Sequence, residues 1–188
     1  GDQEFWSGDF IVTPGVFIPR PETEGLIEEA IAWSDEQQDE KEPATILDLC
    51  TGSGCIAITL AKHAVSSSLY ALDCSSRALE IARANAKGHG LGERITFLCG
   101  DLFEPLATLG LGGRVDLILS NPPYIPSGLI KDLQPEVSLY EPREALDGGP
   151  DGLEIVRRII IQAPSYLSSR GKLFLEIGDQ QAAPLAQW

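Results

Sequence analysis

Short apolar runs separated by polar segments dominate the hydrophobic pattern of the chain. Each run has about the length of a strand and is rich in Leu, Ile and Val, as expected when both faces of a sheet are covered by helices. We therefore predict strands at residues 45–50, 69–73, 95–99, 115–120 and 172–177.

Between the apolar runs, apolar residues recur at helical spacing. We predict helices at residues 22–33, 54–63, 76–87 and 151–168. Ser75 is the expected cap of the third helix, and Pro164 should interrupt the last one. Alternation of strands and helices indicates a mostly parallel α/β sheet with right-handed crossovers. Outside this rhythm, residues 4–12 resemble a hairpin turning at Ser7-Gly8-Asp9, and residues 34–43 a polar loop.

Length and composition narrow the class of protein. A chain of 188 residues, 43% of them hydrophobic, fits one soluble globular domain. No apolar run is long enough to cross a bilayer and no signal peptide opens the chain, so we expect a cytoplasmic protein that binds no membrane. The chain contains no methionine, so we expect it to be part of a longer protein.

Charge and cysteine content narrow the choice of ligand. Fourteen basic and 28 acidic residues give a formal charge of −14, which disfavours nucleic acid as a direct substrate and leaves room for a basic protein partner. The four cysteines form no C-x-x-C pair and there are two histidines, so no metal site is expected.

A glycine-rich turn follows the first predicted strand. Gly52 and Gly54 allow the backbone to turn sharply, and the next helix offers free N–H groups to an anionic end of a ligand. Asp48 precedes the turn, and its charge suits a ligand with ammonium and sulfonium groups better than a pyrophosphate. The sequence therefore indicates a nucleotide-like ligand that carries positive charge.

Two more carboxylates follow the next two strands, at the same edge of the predicted sheet. Asp73 can accept both hydroxyls of a ribose, and Asp101 can accept the exocyclic amine of an adenine while Leu102 packs against the ring. Any one of these acids is also typical of a turn or cap, but three at strand ends favour a site. The glycine pair followed by Asp73 also fits the dinucleotide fingerprint, so a nicotinamide-dependent oxidoreductase remains an alternative.

The sequence Asn121-Pro122-Pro123-Tyr124 follows the fourth predicted strand. The two prolines stiffen the backbone and leave the Pro122 carbonyl without a competing local donor. The Asn121 side chain adds a second acceptor, so a substrate NH2 group can donate one hydrogen to each while Tyr124 stacks on the flat group. We expect these four residues to carry catalysis by holding a planar amide or amino nitrogen in line with an incoming methyl group.

These motifs, with Gly-Val-Phe-Ile-Pro-Arg-Pro-Glu-Thr-Glu at 15–24 and Tyr-Glu-Pro-Arg-Glu-Ala-Leu-Asp-Gly-Gly at 140–149, resemble the HemK/PrmC family. This family comprises the peptide chain release factor N5-glutamine methyltransferases, and the resemblance runs from about Phe5 to Gln180. It implies an α/β fold of the class I, Rossmann-like type with five parallel strands in the order 3-2-1-4-5, joined to an N-terminal β-hairpin.

The resemblance also implies a reaction. The substrate would be the glutamine of the Gly-Gly-Gln motif in class 1 release factors, the methyl donor S-adenosyl-L-methionine and the product S-adenosyl-L-homocysteine. The implied cofactor contacts are Cys50, Thr51, Gly52, Ser53, Gly54, Asp73, Leu102 and Asn121. Phe17 and residues 121–124 would hold the glutamine amide. Arg20, Glu22 and Glu24 would brace the pocket wall, and Glu141 and Arg143 would order a loop near its mouth.

Three features depart from the family pattern. Cys50 stands where the family usually has Gly, the N-terminal helical domain of the family is absent from the sequence, and strands 6 and 7 of its usual sheet are expected to be missing. We accordingly divide the chain into a hairpin and substrate-pocket segment (1–21) and a C-terminally truncated methyltransferase domain (22–188).

Two further alternatives stay open at this stage. One is an adenine-N6 or other nucleic-acid amino-methyltransferase, because Asn-Pro-Pro-Tyr also serves exocyclic amines. The other is a non-catalytic binding module.

Overall fold

The computed structural model describes residues 1–36, 43–64 and 67–186. Its strands are β1 (Asp2–Phe5), β2 (Gly8–Ile11), β3 (Thr45–Leu49), β4 (Ser68–Asp73), β5 (Ile95–Cys99), β6 (Val115–Ser120) and β7 (Leu167–Leu175). Its α-helices are α1 (Glu24–Glu36), α2 (Cys55–His63), α3 (Ser76–Gly88), α4 (Pro135–Ser138), α5 (Glu154–Gln162) and α6 (Ala182–Leu185). No helix in these ranges is both long and apolar enough to span a bilayer.

Strands β3 to β7 form a parallel sheet in the order β5-β4-β3-β6-β7, and β1 and β2 form a separate antiparallel hairpin. Counted from the first strand of the larger sheet, this order is 3-2-1-4-5, so the predicted topology is confirmed. The chain leaves β3 in one direction to build β4 and β5, and later returns to the other side of β3 to add β6 and β7. The carboxyl ends of β3 and β6 therefore flank a crevice, which is where sheets of this type bind ligands.

The expectation that strands 6 and 7 are missing is wrong when the strands are counted along the whole chain. The hairpin supplies the first two strands, and β6 and β7 are both present and pair with each other in parallel. The predicted set of five parallel strands is unaffected by this correction.

The two faces of the sheet bury separate apolar clusters. Ile46, Leu117 and Leu119 belong to the cluster that includes residues of α1 and α2, whereas Leu47 and Ile118 belong to the cluster that includes residues of α5. Because alternate residues of one strand point to opposite faces, a strand covered on both sides is apolar throughout. This is why the strands were readable as continuous apolar runs.

The end of the chain differs from the prediction. Helix α5 ends at Gln162 rather than continuing to residue 168, because Pro164 has no N–H to continue the helical hydrogen bonds. Strand β7 then begins at Leu167 rather than at residue 172, and a register shift opposite Val115 and Leu117 absorbs the extra residues. Ser168, which donates to Asp116 Oδ1 at 2.9 Å, holds this polar first half in the sheet.

Two smaller corrections concern the N-terminal third. The hairpin turns at Trp6 and Ser7, whose φ angles of 49° and 55° match the two-residue type I′ turn that suits the strand twist, and not at Ser7-Gly8-Asp9. Helix α1 continues to Glu36, so the predicted loop at 34–43 begins later. Residues 37–42 of that loop lie outside the described residues.

One buried side chain attaches the hairpin to the rest of the domain. Asn85 of α3 accepts from Ile11 N at 2.7 Å and donates to Ile11 O at 3.1 Å and to Ser53 O at 2.9 Å. At the other end of the hairpin, Trp6 N donates to Glu24 Oε1 at 2.9 Å. These bonds hold the segment that follows β2 across the carboxyl edge of the sheet.

Candidate active site

A cavity lies at the carboxyl edge of the sheet. One wall consists of the loops that follow β3, β4, β5 and β6, and the opposite wall consists of residues from the segments 15–19 and 142–145. It encloses about 1020 Å³ of space, part of which is open to solvent. Of the residues predicted to form the site, the cavity wall includes Phe17, Cys50, Thr51, Gly52, Ser53, Asp73, Asp101, Leu102, Asn121 and Pro123.

The loop after β3 is held by its own backbone and by its neighbours. Thr51 N donates to Leu72 O at 2.9 Å, which fixes the loop against the end of β4. Gly54 caps α2 with a φ of 82°, and a Cβ at this position would lie 3.0 Å from the Ala82 Cβ. Gly54 therefore supports the loop from behind rather than lining the cavity. Its lack of a side chain allows α2 to pack closely on α3.

Cys50 occupies a left-handed backbone conformation, with a φ of 59°. This region disfavours residues that carry a Cβ and favours glycine. The geometry accounts for the usual glycine at this position in the resembling family: the loop has the conformation that glycine prefers, and Cys50 adopts it under strain. Burial raises the pKa of the Cys50 thiol, so this side chain is a neutral part of the cavity wall.

Asp48 lies beneath the loop and not in the cavity wall. Its side chain is fully buried, and Oδ2 accepts from Thr51 Oγ1 at 2.5 Å and from Ala57 N at 3.2 Å, while Oδ1 has no hydrogen-bond partner. Burial raises the pKa of Asp48 to about 7, against the lowering effect of the two hydrogen bonds. Asp48 ties the loop to the first turn of α2 from this position, and its predicted contact with a ligand stays a prediction.

Asp73 joins the loop to the end of β4. Its Oδ2 accepts from Gly52 N at 2.9 Å and its Oδ1 accepts from Ser75 N at 2.9 Å. Burial raises the pKa of Asp73, and the two backbone hydrogen bonds oppose the rise. A carboxylate oxygen can accept more than one hydrogen bond, so both oxygens keep capacity for a ligand in the cavity.

Asp101 and Leu102 form the end of the cavity near β5. Leu102 is buried and has a φ of 46°, a strained conformation that turns its side chain into the apolar wall. Asp101 is exposed and forms an ion pair with Arg158 of α5. This partner could not be predicted from the sequence, because it lies 57 residues away along the chain.

The turn at 121–124 lies beside the glycine loop. Asn121 and Pro123 line the same cavity as Gly52, whereas Pro122 is buried and Tyr124 stands behind the wall. Asn121 Nδ2 donates to Thr23 Oγ1 at 2.9 Å, and neither Asn121 Oδ1 nor the Pro122 carbonyl accepts a hydrogen bond from another described residue. Both predicted acceptors are therefore free of hydrogen bonds from the part of the chain that the structure describes.

Tyr124 is bound from two sides. Its hydroxyl donates to Glu176 Oε1 at 3.1 Å, and its carbonyl accepts from Gln181 Nε2 at 2.8 Å. Burial, together with the Glu176 carboxylate, raises the pKa of Tyr124 to about 12, so the hydroxyl remains a donor. Tyr124 thus braces the turn instead of lining the cavity.

The wall formed by segment 15–19 is held by an ion pair. Arg20 pairs with Glu141, whose side chain is only 2% exposed, and the Arg20 guanidinium lies 5.2 Å from the centre of the Phe17 ring. Burial raises the pKa of Glu141 in spite of this partner. Arg143 instead bonds Asp147 within its own loop, at 3.0 Å. Arg20 and Glu141 therefore join the two segments that face the glycine loop.

Sequence reasoning missed four residues that shape the site. Thr23 and Glu144 line the cavity, while Glu176 and Gln181 hold the turn from behind. Glu176 follows β7 just as Asp73 ends β4, so its place after a strand was an available signal. No cluster of three or more His, Cys, Asp or Glu suited to a metal ion exists within the described ranges.

The chain matches the family described as "Methyltransferase small domain" over residues 35–133. It is 47% identical over 182 residues to the release factor glutamine methyltransferase of Geobacter sulfurreducens, an alignment that covers 97% of the chain and 60% of the relative. The protein of the same name from Thermosynechococcus vestitus is 45% identical over 178 residues, covering 95% of the chain and 60% of the relative. The chain thus spans about three fifths of the length of these relatives.

Solved structures share the fold. The ribosomal protein L11 methylase from Lactobacillus delbrueckii subsp. bulgaricus superimposes with a TM-score of 0.61 at 24% identity, covering 92% of this chain and 68% of that one. The N-terminal domain of human METTL16 in complex with SAH gives a TM-score of 0.67 at 19% identity, covering 95% and 64%. At these identities the likeness supports the architecture alone.

Replacing Cys50 with glycine should stabilise the domain relative to replacing it with alanine. A left-handed conformation costs a residue with a Cβ about 1–2 kcal/mol, and glycine avoids this cost while losing about 0.5–1 kcal/mol in chain entropy. Both variants remove the thiol, so their difference isolates the backbone. We expect Cys50→Gly to have the higher free energy of unfolding by about 1 kcal/mol in urea titrations. Equal stability of the two variants would show that the loop is unstrained.

The buried Asp48 should make stability depend on pH. Its folded pKa of about 7 lies above the 3.8 of an exposed aspartate, so the protonated acid stabilises the fold fully below pH 4 and this contribution is lost as the pH rises to about 7. Asp48→Asn keeps the shape and removes the titration. We expect the two proteins to have similar stability near pH 4, and the variant to become relatively more stable towards pH 8. Parallel pH profiles of their unfolding free energies would contradict this.

Proposed function

Because the chain belongs to the methyltransferase small domain family, we propose that it transfers a methyl group from S-adenosyl-L-methionine to the N5 atom of a glutamine in a peptide chain release factor. The target would be the glutamine of the Gly-Gly-Gln motif. The observation that carries the proposal is the shared cavity: Asn121 and Pro123 of the turn line it together with Gly52 and Asp73 of the nucleotide edge.

The charge of the cavity supports a cationic cofactor. Asp73, Asp101 and Glu144 line it, and the described lining residues include no Lys, Arg or His. A sulfonium and an ammonium group are favoured in such surroundings, whereas a pyrophosphate is repelled by the three carboxylates and finds no cationic side chain among the described lining residues. The negative lining favours S-adenosylmethionine over a nicotinamide dinucleotide, a choice that the glycine spacing alone leaves open.

The polar and apolar parts of the cavity also fit this cofactor. The two Asp73 oxygens retain acceptor capacity for the ribose hydroxyls, and Leu102 with Ile155 provides an apolar surface for the adenine. Asp101, although paired with Arg158, is at the rim where the exocyclic amine would be. The loop Cys50, Thr51, Gly52 and Ser53, with Gly54 behind it, would receive the amino-acid end of the cofactor.

When bound, S-adenosylmethionine supplies an electrophilic methyl group on a positively charged sulfur. The protein's part is to hold a poor nucleophile in line with it. Asn121 Oδ1 and the Pro122 carbonyl each accept one hydrogen of the glutamine NH2, which orients the nitrogen lone pair towards the cofactor. Both acceptors also stabilise the positive charge that develops on this nitrogen during transfer.

The remaining residues of the turn and the facing wall complete this arrangement. Pro122 and Pro123 keep the backbone rigid, and Tyr124 braces it through Glu176 and Gln181 instead of stacking on the substrate. Phe17, held by Arg20, would pack against the glutamine side chain. Residues 1–21 would thus form a hairpin and pocket segment and residues 22–188 the methyltransferase domain. A release factor substrate implies action in the cytoplasm, with no membrane and no nucleic acid as direct substrate.

Asp73→Ala should weaken cofactor binding. The change removes the acceptor of two ribose hydroxyls and also releases Gly52 N and Ser75 N, so we expect S-adenosylmethionine to bind about 10–100-fold less tightly by calorimetry. Asp101→Ala is the matched control, since that carboxylate is exposed and already paired, and its effect should be smaller. Circular dichroism checks that both variants fold. Tight NAD binding by the unaltered chain would instead favour an oxidoreductase.

Asn121→Ala should abolish most methyl transfer and spare cofactor binding. Loss of one acceptor in the transition state costs roughly 2–4 kcal/mol, so turnover should fall by about 30–1000-fold while cofactor affinity changes by less than tenfold. The assay follows labelled methyl groups on a Gly-Gly-Gln peptide and on a whole release factor. A peptide with Glu in place of Gln is the negative control. Label appearing on DNA alone, or unchanged turnover in the variant, would contradict the proposal.

A further inference from the structure

We propose that Thr23 and Glu176 are positioning residues that fix which end of the Asn121 carboxamide faces the substrate. The inference rests on the proposed function, because it concerns the acceptor that the glutamine NH2 would meet. Neither residue belongs to the turn at 121–124. Thr23 comes from the segment before α1 and Glu176 from the end of β7, so the fold supplies this control from two distant parts of the chain.

The need for such control follows from the shape of an asparagine. The two ends of a carboxamide are nearly equal in size, and rotation by half a turn exchanges an acceptor oxygen for an NH2 donor. A donor in that place would face the NH2 of the substrate, where no hydrogen bond can form. The rigid prolines fix the backbone of the turn but exert no control over this side-chain rotation.

Thr23 is the direct contact that selects one orientation. Its side chain is buried with 2% exposure, and its Oγ1 receives the hydrogen bond from Asn121 Nδ2 at 2.9 Å. Asn121 Oδ1 is thereby turned away from Thr23. A hydroxyl, however, can donate as well as accept, so Thr23 by itself would tolerate either orientation of the amide.

Glu176 removes this ambiguity because an ionised carboxylate can only accept. Thr23 and Asn121 both lie near its carboxylate and lower its pKa, while its Oε2 is buried and makes no hydrogen bond to another described residue. A buried acceptor without a donor, beside a hydroxyl group, favours the orientation in which the Thr23 hydrogen points towards the carboxylate. A lone pair of Thr23 Oγ1 then accepts from Asn121 Nδ2. Glu176 thus sets the donor and acceptor direction of Thr23, and Thr23 sets that of Asn121.

The location of Glu176 is fixed by the sheet and by Tyr124. Glu176 N donates to Ser120 O at 3.0 Å, which continues the pairing of β7 with β6 to the residue before the turn. Its Oε1 is engaged by the Tyr124 hydroxyl, so Oε2 is the oxygen left to face Thr23 and Asn121. One oxygen of the carboxylate therefore holds Tyr124 of the turn, and the other oxygen faces the side chains of Thr23 and Asn121.

We call this arrangement of Glu176, Thr23 and Asn121 the relay. The relay should fail when Glu176 is protonated, since a carboxylic acid can donate to Thr23 and reverse the direction of the hydrogen bonds. Burial raises the pKa of Glu176. Thr23 and Tyr124 lower this pKa, and the nearby charge of Glu22 raises it. The other charged group close to this cluster is Arg20, which acts on Tyr124. Because the charged form is required, activity should rise with pH through a pKa above that of an exposed glutamate.

The experiment compares Thr23→Val with Thr23→Ser under saturating cofactor. Valine has the shape of threonine but no hydroxyl, whereas serine keeps the hydroxyl. We expect kcat/KM on a Gly-Gly-Gln peptide to fall at least tenfold in Thr23→Val and less than threefold in Thr23→Ser, with cofactor affinity within threefold of the unaltered chain in both. Adding Thr23→Val to Asn121→Ala should cost nothing further, because the group that Thr23 orients is already absent.

Glu176→Gln provides an independent test. An amide can donate or accept, so this variant should be slower and should lose the decline in kcat at low pH. Nuclear magnetic resonance gives a readout without turnover: the Asn121 Nδ2 hydrogens, identified by their absence in Asn121→Ala, should shift with the titration of Glu176 in the unaltered chain but not in Glu176→Gln.

The outcomes separate the two proposals. Equal rates of Thr23→Val and Thr23→Ser, or an Asn121 amide signal insensitive to pH between 4 and 8, would overturn the relay even if methylation is observed. Absence of methyl transfer by the unaltered chain, or no effect of Asn121→Ala, would count against the proposed function. In that case the resonance experiment still decides whether Glu176 orients the carboxamide.

Discussion

The hydrogen bond from the main chain of Gly52 to the carboxylate of Asp73 is the constraint on which the candidate site depends. It ties the loop after β3 to the end of β4, and the neighbouring bond from Thr51 N to Leu72 O repeats the connection. Asp48, buried beneath, fixes the same loop to the start of α2. The loop held by these bonds and the turn that follows β6 line one cavity, and methyl transfer requires reacting groups to be held in alignment.

Some side chains around the cavity determine its charge, and others hold the shape of the turn at 121–124. The carboxylates of Asp73, Asp101 and Glu144 line the cavity, while Arg20 and Arg158 form ion pairs with Glu141 and Asp101. These two arginines thus support the walls without lining the cavity. The turn itself is supported from behind, by Glu176 and Gln181 on Tyr124 and by Thr23 on Asn121. Its rigidity is therefore a property of the surrounding fold as much as of its two prolines.

The residues that sequence reasoning located share one property: each lies at the end of a strand or within a turn of distinctive composition. Asp73, Leu102, Asn121 and Pro123 were found in this way and line the cavity. Asp48 was found by the same rule but lies below the wall. Alternate residues of a strand point to opposite faces, and the charge of a residue alone does not show whether its side chain is buried. The first half of β7 was missed because its residues are polar, and Asp116 from another strand holds Ser168 there.

Hydrophobic periodicity and turn composition are local signals, and from them the sequence by itself determined a mostly parallel α/β sheet and predicted a ligand at its carboxyl edge. The order of the strands followed from the resemblance to a family. The tertiary structure alone decided which partners the site residues have. Arg158 reaches Asp101, Glu141 reaches Arg20, and Thr23 reaches Asn121 across long stretches of chain. Such contacts arise when separate elements pack against each other, and no spacing along the chain records them. For the same reason the strained backbone of Cys50 was visible only as an unexpected residue until the loop was seen in three dimensions.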